Sequence, residues 1–170
     1  ILRIAGGYVR DKLLGKDSND IDIAINNMTG EAFANLVSEY MAENGLRKQS
    51  VTVVEANPGQ SKHLATAMIK VFGFPIDFVN LRTETYADSR IPTMEIGTPE
   101  EDAQRRDLTI NSLFYNINTG EIEDFVGGIK DLENKIAKIA SIKITAVIEV
   151  TTELVVPSPK LSVLGLIRSP

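Results

Sequence analysis

ILRIAGGYVRDKLLGKDSNDIDIAI (residues 1–25) sets an apolar opening, two adjacent glycines, a short charged segment and two aspartates split by one isoleucine side by side. Residues 1–5 predict a strand running into Gly6 and Gly7. Tyr8–Leu14 predicts a short helix, with Val9, Leu13 and Leu14 near one face and Gly15 as its stop. Residues 21–25, IDIAI, are rich in isoleucine, as a partly buried strand would be. A tight turn, a surface helix and a solvent-facing loop would explain this order. So would a site that holds a phosphate chain at one end and metal ions at the other.

Outward from that stretch the chain alternates helices and strands. Thr29 predicts a cap for a helix to about residue 43, with Phe33, Leu36, Val37, Tyr40 and Met41 as its apolar stripe and Gly45 at its end. VTVVE (51–55) reads as a strand. Residues 64–71 and 74–80 read as two strands joined across Gly73, with Phe74, Ile76 and Phe78 on one face and Asp77 on the other. Residues 81–97 show neither period and predict a long loop, the kind that often carries function. TPEE (98–101) has Thr98 as N-cap, Pro99 at the first helical position and Glu101 closing a capping box. A hairpin around Asn118–Gly120 and a short helix in GGIKDLENK follow. From about 137 the chain becomes β-branched and alternating, predicting a strand or two before PSP interrupts it.

The 170 residues are enough for one domain and the start of another, with 43% apolar and 24% charged residues. No apolar run approaches the ~20 residues needed to span a bilayer, so no membrane partner is expected. Cysteine is absent and His63 is the single histidine. Thiol and imidazole metal clusters therefore lack material, and a metal site must be built from carboxylates, which suits hard ions such as Mg²⁺. A net charge of −5 argues against a broad nucleic-acid coat, though not against a local basic patch. The start inside an apparent strand and the apolar end LGLIRSP suggest an incomplete chain.

Asp20 and Asp22 stand two apart, and on a strand such residues project to one face. Side by side they repel, and a divalent cation cancels that repulsion, as two-metal phosphoryl transfer requires. Gly6 and Gly7, between strand and helix, let backbone amides meet an anion with no Cβ in the way. Arg10 can lean back over the same end. A solvent-facing Asp-x-Asp and an ordinary glycine turn remain the competing explanations. Asp77 is a candidate third carboxylate, since an aspartate in an apolar strand is costly unless paired or metal-bound; an edge position would also explain it. Arg105 and Arg106, with Asp107 available to orient a guanidinium, could bind a triphosphate or a ribose; an ordinary surface helix pair is the competing explanation. Arg82 and Arg90 flank the long loop and could meet substrate, or stand there as ordinary exposed loop arginines. Lys62 and His63 read as surface residues.

RIAGGYVRDKLLGKDSNDIDIAI (3–25) resembles the opening signature of the class II tRNA nucleotidyltransferase and bacterial poly(A) polymerase family, and EEDAQRRDLTINSLFYNINTGEIEDFVGGIKDLENK (100–135) resembles its second block. The likeness covers about residues 2–136. SKHLATAMIKVFGFPIDFVNLR and SRIPTMEIGTPEEDAQRRD are most similar to plant and fungal CCA-adding enzymes. The resemblance implies an α+β head domain, a mixed sheet braced by helices, over 1–136. Residues 137–170 would form a divergent connection and the possible start of an all-helical neck, with body and tail largely absent.

The same resemblance implies roles for single residues. Gly7 and Arg10 match nucleotide-contacting positions beside Gly6, Asp20 and Asp22 match metal-binding carboxylates, and Arg105 and Arg106 match the basic pair of a ribose-contacting motif. Asp77 is retained as a third acidic position. The implied reaction is Mg²⁺-dependent transfer of CMP and AMP from CTP and ATP to a tRNA acceptor end. Poly(A) addition is the enzymatic alternative, and a nucleotide-binding head without turnover, paired with a second chain, the other. The relatives serve cytoplasm, nucleus, mitochondria and plastids. SPKLSVLGLIRSP departs from the family's arginine-rich neck helix: if the segments correspond, Ser162 and Gly165 replace arginines and only Arg168 keeps its charge.

Overall fold

A computed structural model describes residues 1–54, 65–85 and 93–140, and the backbone of 147–149. Lys62, His63, Arg90, Ser162, Gly165, Arg168 and the expected neck segment lie outside the described residues. Strand β1 (Leu2–Ala5) leads through Gly6 into α1 (Gly7–Leu13), then β2 (Ile21–Ile25), α2 (Gly30–Glu43), β3 (Thr52–Val54), β4 (Thr66–Val71) and β5 (Phe74–Asn80). There follow β6 (Arg82–Thr85), β7 (Thr93–Ile96), α3 (Pro99–Arg105), a single 3₁₀ turn at Thr109–Asn111, β8 (Phe114–Asn116), β9 (Glu121–Glu123), α4 (Gly128–Glu133), β10 (Ile136–Lys138) and β11 (Val147–Glu149). No helix among the described residues is long and apolar enough to cross a membrane.

Seven strands form one mixed sheet in the order β3-β4-β5-β2-β1-β8-β9. Among the described strands only β2 and β5 run parallel, and they meet at its centre with Asp22 opposite Asp77 and Ile23 opposite Phe78. Strand alternation then divides the sheet. Ile23, Ile25, Ile69 and Phe78 face α2, where Ala34 and the edge-on ring of Phe33, 5.0 Å from that of Phe78, close the layer. Fully burying a side chain such as Ile25 stabilises by about 1.5–3 kcal/mol. The other face presents Ala5, Ala24, Val79 and Phe114 to Ala103 of α3. Asp22 and Asp77 lie on this second face by the same alternation, beneath the helix that carries the arginine pair.

Helix α2 begins where expected, with the Thr29 hydroxyl accepting from the Ala32 amide. Its stripe differs from expectation: Leu36 is 51% and Tyr40 67% exposed, and the buried line runs through Gly30, Ala34, Ser38 and Met41. Small residues at 30 and 34 let the helix sit close to β5; a Cβ on Gly30 would stand 2.3 Å from the Phe78 carbonyl oxygen. The apolar side chains at 36 and 40 are thereby rotated off the contact. Residues 81–97 are not one loop either, since β6 and β7 pair as an antiparallel ribbon from Arg82↔Ile96 to Thr85↔Thr93. Four-residue strands whose partner lies across an intervening segment leave too little periodicity to read. The tail supplies two three-residue strands, β10 and β11, paired with each other. Beyond β10, Ile139 bridges Leu108 and the Ala140 amide donates to the Asp107 carbonyl.

Candidate active site

The glycine turn is built for close approach. Gly6 has φ +70° and ψ −130°, a conformation few L-residues adopt, and a Cβ there would meet Nη1 of Arg106 at 2.8 Å. Its amide is not free for a ligand, because it donates to the Leu113 carbonyl at 2.9 Å. Helix α1 has no side-chain cap, which leaves the amides of Gly7, Tyr8 and Val9 without an intrahelical acceptor. Arg10 folds back over this end as expected: a Cβ on Gly7 would stand 3.5 Å from its Nη2. The Arg10 guanidinium donates to Asp11 at 2.8 Å and to the Asn111 side-chain oxygen. Asn111 in turn donates to Asp107.

Asp20 is exposed and sits one residue before β2, whereas Asp22 lies within it. Burial pushes the Asp22 carboxyl from its usual 3.8 up to about 6, helped by the negative charges of Asp20 and Asp77 and opposed by Arg106 and Arg82. Burial, and then Asp20, also raises Asp77. All three expected carboxylates therefore feel one another, and the parallel pairing of β2 with β5 brings Asp77 to Asp22.

Oxygen-only donors that repel one another fit a hard divalent cation. Among the described residues no three carboxylate or imidazole groups are gathered into a ready-made metal cage. Mg²⁺ commonly takes one or two carboxylates and completes its shell with water and substrate phosphate, so this donor set suits it.

The arginine pair is held by a residue that sequence reasoning missed. Asp102, 1% exposed, accepts from Arg105 Nε at 3.0 Å and Nη2 at 2.6 Å, and from Arg106 Nε at 2.9 Å. Asp107 does not orient them; its carboxylate is engaged by the Leu108 amide and Asn111. The i, i+3 and i, i+4 spacing of Asp102 to Arg105 and Arg106 was the available signal. Arg106 also lies 5.2 Å over the Phe114 ring. A cleft of about 350 Å³ opens here, lined by Asp22, Val79, Asn80, Arg82, Arg105, Arg106 and Asp107. Two carboxylates, Asp22 and Asp107, beside three guanidiniums are an arrangement that can hold an anionic ligand across a cation. Asp20, Asp77, Gly6, Gly7 and Arg10 do not line that cleft: Gly6 touches it through Arg106, and Asp20 and Asp77 through their effect on Asp22.

The sequence and fold have known relatives. The mitochondrial CCA tRNA nucleotidyltransferase of Saccharomyces cerevisiae is 53% identical over 143 residues, which cover 81% of this chain and 26% of the yeast protein. A solved CCA-adding enzyme in its apo form superposes with a TM-score of 0.67 at 28% identity, covering 82% of this chain and 31% of that one. A tRNA nucleotidyltransferase complexed with a primer tRNA and an incoming ATP analogue gives a TM-score of 0.58 at 29% identity, over 82% of this chain and 35% of that one. The chain thus spans about a quarter to a third of the length of these relatives. The family profile described as the Poly A polymerase head domain matches residues 2–138, and the chain belongs to that family.

Proposed function

We propose that this chain is the nucleotide-binding head of a CCA-adding tRNA nucleotidyltransferase, an enzyme that transfers CMP and AMP from CTP and ATP to a tRNA 3′ end. The observation that carries the proposal is the cleft in which Asp22 faces Arg82, Arg105 and Arg106. The names of the yeast relative and of the solved complex with primer tRNA and ATP analogue support the choice of substrates. Residues 1–136 form the head on this proposal, and 137–170 begin the connection to a neck.

In the reaction the RNA 3′-oxygen bonds to the α-phosphorus, the bond to the β-phosphate oxygen breaks, the hydroxyl proton passes to water and pyrophosphate leaves. Asp22 and Asp20, with Asp77 beside them, would hold Mg²⁺, which supplies a lowered pKa for the attacking hydroxyl and charge neutralisation at the phosphate oxygens. Arg105 and Arg106, locked on Asp102, present fixed donors to the anionic nucleotide, so little reorganisation is needed as charge moves to the leaving group. Arg10, tethered to Asn111, and the open amides of Gly7 and Tyr8 provide donors at the start of α1. No protein nucleophile is required. Base choice and the grip on tRNA lie with parts outside the head.

The test is incorporation of labelled CTP and ATP onto a tRNA lacking its CCA end, in Mg²⁺, read by product length. Two cytidines and then one adenosine are expected. A long adenosine tract from ATP alone would replace this proposal with poly(A) addition, and no incorporation would leave a binding head without turnover. The yeast relative's name makes mitochondria the first compartment to examine, by fractionation.

A further inference from the structure

Arg82 opens β6 directly after Leu81, which is fully buried. Its backbone amide donates to Asp102 Oδ1 at 2.9 Å, and that same oxygen accepts Nε and Nη2 of Arg105. Asp102 Oδ2 accepts from Arg106. One buried carboxylate is therefore the common anchor for three arginines arriving from a strand and a helix. Two of them bond it through their guanidiniums and Arg82 through its backbone amide, and all three line the cleft that Asp22 also lines.

The three differ in what their guanidiniums do. Arg105 and Arg106 each spend two nitrogens on Asp102. The Arg82 guanidinium makes no hydrogen bond to any described residue, although it is half-buried. Burial first, and then the like charge of Arg105, lowers its pKa, while Asp102 and Asp22 act the other way. Asp102 and Asp22 lie near enough to act on this half-buried cation, yet no carboxylate among the described residues is hydrogen-bonded to its guanidinium. Its attraction to Asp22 is weakened once a cation sits on that carboxylate, so a ligand arriving with the cation meets an Arg82 whose guanidinium is hydrogen-bonded to no described residue.

We propose that Arg82 is a third phosphate-binding arm, engaging the nucleotide's phosphate chain beside Asp22 while Arg105 and Arg106 engage it from α3. The proposal rests on the nucleotidyl-transfer reading of the cleft. A residue of merely structural value would lower stability when removed. Arg82 should not, because its side chain bonds to nothing described and is crowded by like charges.

The experiment is calorimetric titration of the full chain with CTP and with cytidine, in Mg²⁺ and at several salt concentrations. The unchanged protein, Arg82→Gln and Arg82→Lys are compared, and the melting temperature of each is recorded. Arg82→Gln should weaken CTP binding about ten- to a hundredfold, leave cytidine binding and melting unchanged, and reduce the slope of log Kd against log salt by about one. Arg82→Lys should recover part of the loss. CTP affinity unchanged in Arg82→Gln would overturn the proposal, as would an equal loss for CTP and cytidine. Absence of CTP binding by the unchanged chain would instead overturn the nucleotidyl-transfer reading, and this arm with it.

Discussion

Asp22 and Asp77 stand opposite one another on the only parallel strand pair of the sheet, and the charge of Asp77 helps hold the Asp22 proton on. That strain has a direction. The Asp22 pKa is raised from 3.8 to about 6 in the fold, so the folded state binds the proton more tightly than the unfolded chain. Stability of the metal-free protein therefore falls as pH rises through that window and stays reduced above it. Asp22→Asn should raise the stability of the metal-free protein at pH 7.5 by about 1–2 kcal/mol, after allowance for the carboxyl's partial exposure. The melting temperature in EDTA should rise by several degrees, and nucleotidyl transfer should vanish. A lower melting temperature for the variant would show that the carboxylate is not strained.

The same proton competes with the ion. Mg²⁺ or Mn²⁺ should bind well above pH 6 and weaken about tenfold per pH unit below it, since one proton must leave Asp22 for each ion bound. Titration calorimetry between pH 5 and 8 would follow this. A flat profile would mean that Asp22 is not a ligand.

Gly6 and Gly7 look equivalent in sequence and are not equivalent in the fold. Gly6→Ala must place a Cβ at φ +70° and 2.8 Å from Arg106, whereas a Cβ at Gly7 makes only ordinary contact with Arg10. Gly6→Ala should lose about 1–3 kcal/mol and displace Arg106, lowering nucleotide affinity as well. Gly7→Ala should be neutral or stabilising by up to about 1 kcal/mol, because alanine favours the helix. Denaturant unfolding of the two variants would separate them.

These contrasts mark what was legible in the residues. The Thr98–Glu101 capping box was readable because every bond in it is local. Asp77 could be placed on the face opposite Phe74, Ile76 and Phe78 because strand alternation has a period of two. The arginine anchor was legible only as a spacing: Glu100, Glu101 and Asp102 stand in a row, and only packing shows that the third is buried while the first two are exposed. The Arg10–Asn111 contact crosses 101 residues, and the ribbon of β6 and β7 depends on pairing across an intervening segment. Leu36 and Tyr40 misled because apolar character does not say which side of a helix meets the sheet.

Arg3 offers a last test, away from the cleft. It sits on β1 at 7% exposure, paired through Nε and Nη2 with Glu123 of β9, which also accepts from Asn116 of β8. Its remaining nitrogen, Nη1, is buried with no partner among the described residues. Among the described residues Glu123 is thus the only carboxylate paired with this guanidinium. Glu123→Ala would leave the charge buried and alone, which costs about 3–5 kcal/mol. Glu123→Gln keeps an acceptor and should cost less. Replacing both partners, Arg3→Met with Glu123→Leu, should recover much of the loss, because an apolar pair needs no desolvation of charge. Thermal unfolding of the three variants measures this directly. If Glu123→Ala melts with the unchanged protein, water reaches Arg3 and the pair does not brace β1 against β9.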